Sequence, residues 1–184
     1  MVSSRRRAVI EFVLDHLVWF ILVAVVTLFS LTVPNYFQIG IFANIVEQST
    51  FVATLAIGLS LLIIAGYMDL SIESVMALAA MIIGILFAHS GVGLGIALTP
   101  EWLVVPVSLA VALAVGAAVG ATNAFLVVRL GMNAFIVTLA AYIWGRGLVV
   151  ALSGGRSAQE MPAALRTLAV ERFLSIPLIA WVSI

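Results

Sequence analysis

Apolar runs of membrane length, separated by short polar interruptions, dominate the chain. A spanning helix needs about 20 mostly apolar residues to cross a hydrocarbon core of about 30 Å. Residues 17–33, 50–65, 74–89, 102–128 and 134–152 follow that pattern, and a sixth run opens near Ser175 and is still running at Ile184. Residues 44–48 read as an amphipathic lead-in to the second run. Arg5-Arg6-Arg7 precedes the first run like the n-region of a signal peptide. That run is longer than a signal core and no small-x-small site follows it, so it reads as a retained helix. Pro34-Asn35-Tyr36 then reads as a turn leaving the membrane. The predicted fold is all-α: a polytopic integral membrane bundle of about five full transmembrane helices and the start of a sixth. It forms a single transmembrane domain over residues 1–184, without a soluble domain or a linker.

Composition sharpens this picture. The chain is 65% hydrophobic and 9% charged, with a mean hydropathy of +1.31. A soluble domain is about half apolar and about a quarter charged, so lipid is the predicted solvent. Net charge is zero, with no basic face for nucleic acid. Every cation is an arginine, and there is no cysteine to form a disulfide, thiolate metal site or thiol nucleophile. Arginine placement puts the N-terminus in the cytoplasm, the 66–73 turn and Arg129 inside, and the 34–49, 90–101 and 153–174 segments outside. Arg156, Arg166 and Arg172 in the last outer segment run against the positive-inside tendency.

Polar residues within or beside the apolar runs are the candidate chemistry. Gly66 permits a backbone break, and Asp69 and Ser71 are suited to cap the helix that follows. Glu73 in its first turn would complement the helix dipole. A cytoplasmic turn with a capped helix accounts for these residues. So does a broken helix within the membrane lining a solute path. Asn123 reads either as an interhelical hydrogen bond or as a ligand for a hydroxylated solute. Gly116 and Gly120 have the spacing that lets two helix backbones approach. Arg146, between Gly145 and Gly147, reads as a partner for a glutamate or a helix-end carbonyl, or as part of a solute route. Gly154-Gly155 reads as a helix stop, and Ser157-Ala158-Gln159-Glu160 as a capping box opening a short external helix over 161–172. His16 and His89 have no partners at metal-ligand spacing, and no catalytic or nucleotide-binding motif is present.

Three blocks carry a family resemblance. They are Met68-Asp69-Leu70-Ser71-Ile72-Glu73-Ser74, then Gly120-Ala121-Thr122-Asn123-Ala124, then Phe135-Ile136-Val137-Thr138-Leu139 with Arg146-Gly147 and Gly154-Gly155. In this order, over roughly residues 40–160, they resemble the permease subunit of bacterial ABC importers. The branch is that of ribose, xylose, arabinose and galactosides, within a branched-chain amino acid-like permease family. The first block differs from the family's Gly-(Ile/Met)-Asp-Leu-Ser-x-Gly-Ser at Tyr67 and Glu73, and the second has Ala124 for a glycine.

The resemblance implies a permease of the bacterial inner membrane that moves a small sugar by alternating access. Its solute path would include Asp69, Ser71, Glu73, Asn123, Thr138 and Arg146, and Gly155, Arg156 and Glu160 would offer an external docking surface. The implied partners are cytoplasmic ATPase subunits carrying ATP-Mg, a second permease copy or paralogue, and an extracytoplasmic solute-binding protein. No cofactor is expected on this chain, which is then a transporter subunit rather than an enzyme. The family's C-terminal part, with the loop that engages the ATPases, is expected beyond Ile184, so the chain reads as truncated. Two alternatives stand beside this reading. One is a permease of the same superfamily for branched-chain amino acids, nucleosides or a signalling sugar; the other is a truncated membrane remnant that transports nothing.

Overall fold

The computed structural model describes residues 11–170 together with Arg172, Phe173, Ile176 and Pro177. The chain divides into two compact units, residues 1–48 and 49–184. In the first, helix α1 spans Leu17–Thr32. It ends where Asn35 takes a left-handed φ of 59°, a conformation asparagine tolerates better than most residues. Aromatic rings gather at this turn: Phe29 stacks on Tyr36 and Tyr36 meets Phe37 edge-on.

Helix α2 spans Ile39–Ile64 and runs through the boundary between the units. The expected second run therefore starts about three turns early, and residues 44–48 are part of it rather than a separate lead-in. No proline, glycine pair or cap separates 44–48 from the apolar residues that follow, so the helix simply continues. It stops at a Schellman-type turn. Gly66, at φ 83°, donates to Ile63 O at 2.9 Å, and Tyr67 donates to Leu62 O at 2.9 Å.

The second unit is built on helix α3, Ile72–Phe87. It packs against α4, Val104–Ala124, and α5, Ala134–Ser153. A short 3-10 turn, Glu101–Leu103, leads into α4, and a π turn, Phe125–Arg129, ends it. Asn133 caps α5, its side chain accepting from Phe135 N at 2.9 Å. The core lies along the α3 contacts, at Leu78, Ala79, Phe87, Val104, Val119, Val137 and Ala141. Gly145 lets α3 come close to α5. A Cβ built there would stand 2.9 Å from Ser74 Oγ.

At the far end of α3 the chain doubles back. Leu94 N and Ile96 N donate to Ile85 O and Leu86 O, carbonyls of the last α3 turn that have no partner within the helix. Strand β1, Ser90–Gly91, pairs antiparallel with β2, Ala158–Gln159. Helix α6, Ala163–Val170, follows, and then the strand pair β3, Arg172–Phe173, and β4, Ile176–Pro177.

These elements bear on several expectations. Three described helical segments are long and apolar enough to cross a membrane: Ile39–Ile64, Glu101–Arg129 and Ala134–Ser153. Helices α1 and α3 have 16 residues each, about 24 Å at 1.5 Å per residue, which is short of the full hydrocarbon thickness. Within the sixth run, Ile176 and Pro177 pair as a strand with Phe173 and Arg172, and the rest of that run lies outside the described residues. Among the described residues, Gly116 and Gly120 make no close helix contact, since a Cβ at either would meet open space. The capping box at Ser157 does not form, because Ala158 and Gln159 are drawn into the β1–β2 ladder and Glu160 adopts φ 56°. The short helix that follows consequently starts at Ala163, with Pro162 O accepting from Leu165 N and Arg166 N.

Candidate solute path at a break between helices

Asp69, Ser71, Asn123 and Thr138 come together where α2 ends and α3 begins. Ser71 donates twice to Asp69 Oδ1, from its amide at 2.7 Å and its hydroxyl at 2.6 Å. Asn123 Nδ2, near the end of α4, donates to Ser71 Oγ at 3.1 Å. Ser71 sits at the N-cap position of α3, yet its side chain caps no helical N–H. Its hydroxyl is committed to Asp69 and Asn123 instead. The expected capping role of Asp69 likewise becomes an Asx turn that fixes Ser71 and does not reach into the helix.

Two further hydroxyls tie this turn to α5. Ser74 Oγ donates to Ser71 O at 2.8 Å and lies 3.4 Å from Ala141 O. Thr138 Oγ1 donates to Ala134 O at 2.8 Å and lies 3.5 Å from Met68 O. Ser71, Ser74, Asn123 and Thr138 are all buried. Buried polar side chains must be hydrogen-bonded to be tolerated; here Asn123 and Ser71 bond each other, and Ser74 and Thr138 donate to backbone carbonyls.

The contacts also set the depth of the break. Helix α5 has 20 residues, about 30 Å at 1.5 Å per residue. The turn meets it at Thr138 and Ala141, about 6 and 10 Å from its first residue. The break is therefore one to two turns inside the end of α5 rather than level with it.

Two hollows adjoin Asp69. One, of about 220 Å³, lies among Leu62, Tyr67, Met68, Asn123, Thr138 and the π turn residues Val127 and Val128. The other, of about 190 Å³, lies between α3 and α4, with Gly116 and Gly120 on its wall. The two glycines, expected to pack a helix, leave space beside an acid instead. No basic side chain lines either hollow.

Glu73 and Arg146 are placed elsewhere. Arg146 Nη1 stands 3.3 Å from Glu73 Oε1, and both side chains are more than half exposed. Neither lines the two hollows. Arg146 lies about 18 Å along α5 from its first residue, so the pair is level with the middle of that helix. The six expected path residues thus form a cluster of four, with Ser71, Asn123 and Thr138 buried and Asp69 half-buried, and a separate ion pair.

Gly155, Arg156 and Glu160 are exposed beyond the end of α5. Gly154, at φ 56°, caps that helix as expected. Ser74 and the π turn are not among the expected site residues. Ser74 closes the first of the three family blocks, but its place against α5 depends on Gly145 facing it, which no local pattern announces. Asn133 has one: a side-chain acceptor directly before an apolar periodic run.

Among comparisons with known proteins, a family model described as "Branched-chain amino acid transport system / permease component" matches residues 41–177. The chain is similar to the protein named "Autoinducer 2 import system permease protein LsrC" of Yersinia pestis (strain Pestoides F), at 30% identity over 165 residues. The corresponding protein of Yersinia pseudotuberculosis serotype O:1b (strain IP 31758) gives the same identity. The match covers 88% of this chain and 44% of each relative, so the chain spans less than half the length of these relatives. No solved structure matches the chain significantly. A family match over about three quarters of the sequence, with a relative matched over 88% of the chain, identifies the chain as a member of the branched-chain amino acid-type ABC permease family.

Proposed function

We propose that this chain is the membrane-spanning permease subunit of an ABC importer and that the helix break at Asp69–Ser71 lies on its solute path. The observation that carries the proposal is the depth of the break. A polar, hydrogen-bonded turn set about 6–10 Å inside the end of a spanning helix is tolerated where it lines a cavity or is buried in protein. Family membership and the relatives' printed name, an import system permease, support the transport role.

The hollows favour a hydroxylated solute over an amino acid. They present Asp69, Asn123, Thr138 and Tyr67, but no cation. An amino acid's carboxylate would enter without a counter-charge, whereas hydroxyls find both donors and acceptors. A small sugar or a sugar-like signal fits this lining. The family description names branched-chain amino acids, and a nucleoside would fit by the same hydroxyl chemistry, so solute competition is the discriminating measurement.

The chain would cross the bacterial inner membrane several times, with α1 and α3 completing a set of about five spans and the N-terminus in the cytoplasm. Partner ATPases would bind and hydrolyse ATP-Mg. A second permease copy or paralogue would complete the path, and an extracytoplasmic binding protein would deliver solute at the ledge of Gly155, Arg156 and Glu160. Alternating access would open the break to each side in turn.

The test is uptake into vesicles holding the whole permease, its ATPase and its binding protein. Saturable, ATP-dependent uptake of labelled D-ribose or a related sugar, uncompeted by leucine, is expected. Uptake of leucine but not of any sugar would reverse the solute assignment, and no ATP-dependent uptake of either would sink the permease reading.

A further inference from the structure

A hollow larger than the two at the break lies elsewhere. It has a volume of about 660 Å³ and lies at the other end of the second unit, between the 89–104 and 160–166 segments. That volume lies within the range of about 300–1,000 Å³ usual for small-molecule sites. We propose that this outer cavity is a binding site for a small, uncharged, polyhydroxylated solute, occupied before the solute reaches the helix break. The proposal rests on the importer reading above and adds a second site to it.

The walls are tied together rather than merely adjacent. His89 N donates to Glu160 O at 3.2 Å, and Ser90 pairs with Gln159 in the short ladder. Across the cavity, Ala164 N donates to Glu101 Oε1 at 3.3 Å. Thus Glu101, at the head of α4, caps α6 from 63 residues away in sequence. Cross-ties at both sides hold the shape of the pocket without a ligand, which lowers the ordering cost of binding.

The chemistry of the walls selects the ligand class. His89 Nδ1 lies 3.1 Å from Glu160 O. A carbonyl can only accept, so Nδ1 carries the proton and Nε2 of the neutral ring is left as an acceptor. A carboxylate has about four acceptor positions, and the cap on α6 uses one of those on Glu101. Arg166 contributes a planar fork of donors, and Ile96, Val104 and Met161 give an apolar wall. Donors, acceptors and an apolar face together match a ring with vicinal hydroxyls. Glu101 and Glu160 disfavour an anion, and Arg166 disfavours a cation.

The residues described contain no cysteine, so Thr99→Cys places one thiol within residues 1–184 on the cavity wall. The experiment uses the whole permease in lipid nanodiscs, without ATPase or binding protein. A membrane-impermeant thiol reagent labels the Thr99→Cys variant, and D-ribose, D-xylose, D-galactose and leucine are tested as protectants. A sugar should slow labelling saturably, and leucine should not. Adding Arg166→Gln should raise the protecting concentration at least about tenfold, as loss of charge-assisted hydrogen bonds predicts. Adding Glu101→Gln, which keeps an acceptor for Ala164 N, should weaken protection while leaving α6 in place. Asp69→Asn should leave protection unchanged, because Asp69 does not line this cavity.

Labelling that no sugar slows, in a permease that still supports ATP-driven uptake with its partners, would overturn the outer site and leave the transport role standing. Protection that survives both Arg166→Gln and Glu101→Gln would rule out recognition of the solute by these two side chains, and the proposed ligand class with it.

Discussion

The helix break and the outer cavity solve the same problem in opposite ways. Both bring polar groups from remote parts of the chain to one place. At the break the groups are buried hydroxyls and an amide, and a side-chain relay links the turn to α4: Asn123 reaches Ser71, and Ser71 reaches Asp69. At the outer end the groups are exposed charges and a histidine, and backbone atoms do the tying, through Glu160 O and Ala164 N. Water can replace a lost bond at an exposed site, whereas a buried group left alone bears its full desolvation cost. The break should therefore be brittle and the outer end tolerant.

The largest effect should come from Asp69→Leu. It strips both the amide and the hydroxyl of Ser71 of their acceptor, at about 1–3 kcal/mol for each buried group. Uptake should fall by at least about a hundredfold while the protein remains in the membrane, and Asp69→Asn should be milder. Unchanged uptake in the leucine variant would reduce the break to an ordinary turn.

Next comes the Glu73–Arg146 pair, which sharpens the comparison because it is polar, exposed and level with the middle of α5. If its surroundings are hydrocarbon, a lone arginine there costs about 3 kcal/mol. Glu73→Gln should then destabilise more than the double change Glu73→Gln with Arg146→Gln. If the face is wet, the single change should cost at most about 1 kcal/mol. Detergent-melting temperatures of the two variants decide between these environments.

Gly145→Val should cost about 1–3 kcal/mol by overpacking, since its Cβ would press on Ser74. Uptake should fall with stability, because Ser74 and the break move together. At the outer end, Glu101→Ala should uncap α6 for about 1 kcal/mol. Proteolysis near Ala163 should rise, with global unfolding unaffected. The smallest effect belongs to Gly116→Ala. Its Cβ would enter open space, and alanine is favoured over glycine in a helix, so stability should rise by up to about 1 kcal/mol. A loss of stability there would mean that α4 packs against something at that position after all.

The same contrast explains what is legible in the sequence. Helices α4 and α5 are readable because their apolar runs are long and Gly154 marks the end of α5. Asp69, Ser71, Asn123 and Thr138 are readable because polar residues in such runs are costly and so conspicuous. Their meeting is not readable, since it needs α4 to run antiparallel beside α3. The start of α2 is misread because Asn44, Glu47 and Gln48 look like a boundary by polarity alone, although helix propensity carries straight through them. The capping box at Ser157 fails for the opposite reason. Its residues suit a helix start, but the pairing of Ser90 with Gln159 claims them for a strand, and no local pattern announces a partner that far away. Grouping Glu73 with Asp69 follows from sequence proximity, while the turn of α3 sends the two carboxylates to different surroundings.

Helix α4 is fastened at both ends. Glu101, in the turn that leads into it, holds α6 at one end, and Asn123, near its last turn, holds Ser71 at the break. The distance between these fastenings is about 33 Å along the axis. A helix of that length behaves as a rod, so a tilt about its centre displaces its ends in opposite directions. A pull on α6 away from the membrane axis would thus press Asn123 toward the axis, or draw it off Ser71 if the pull were reversed. Mechanical work done on the outer surface would reach the buried hydroxyl cluster without any change in the helix itself.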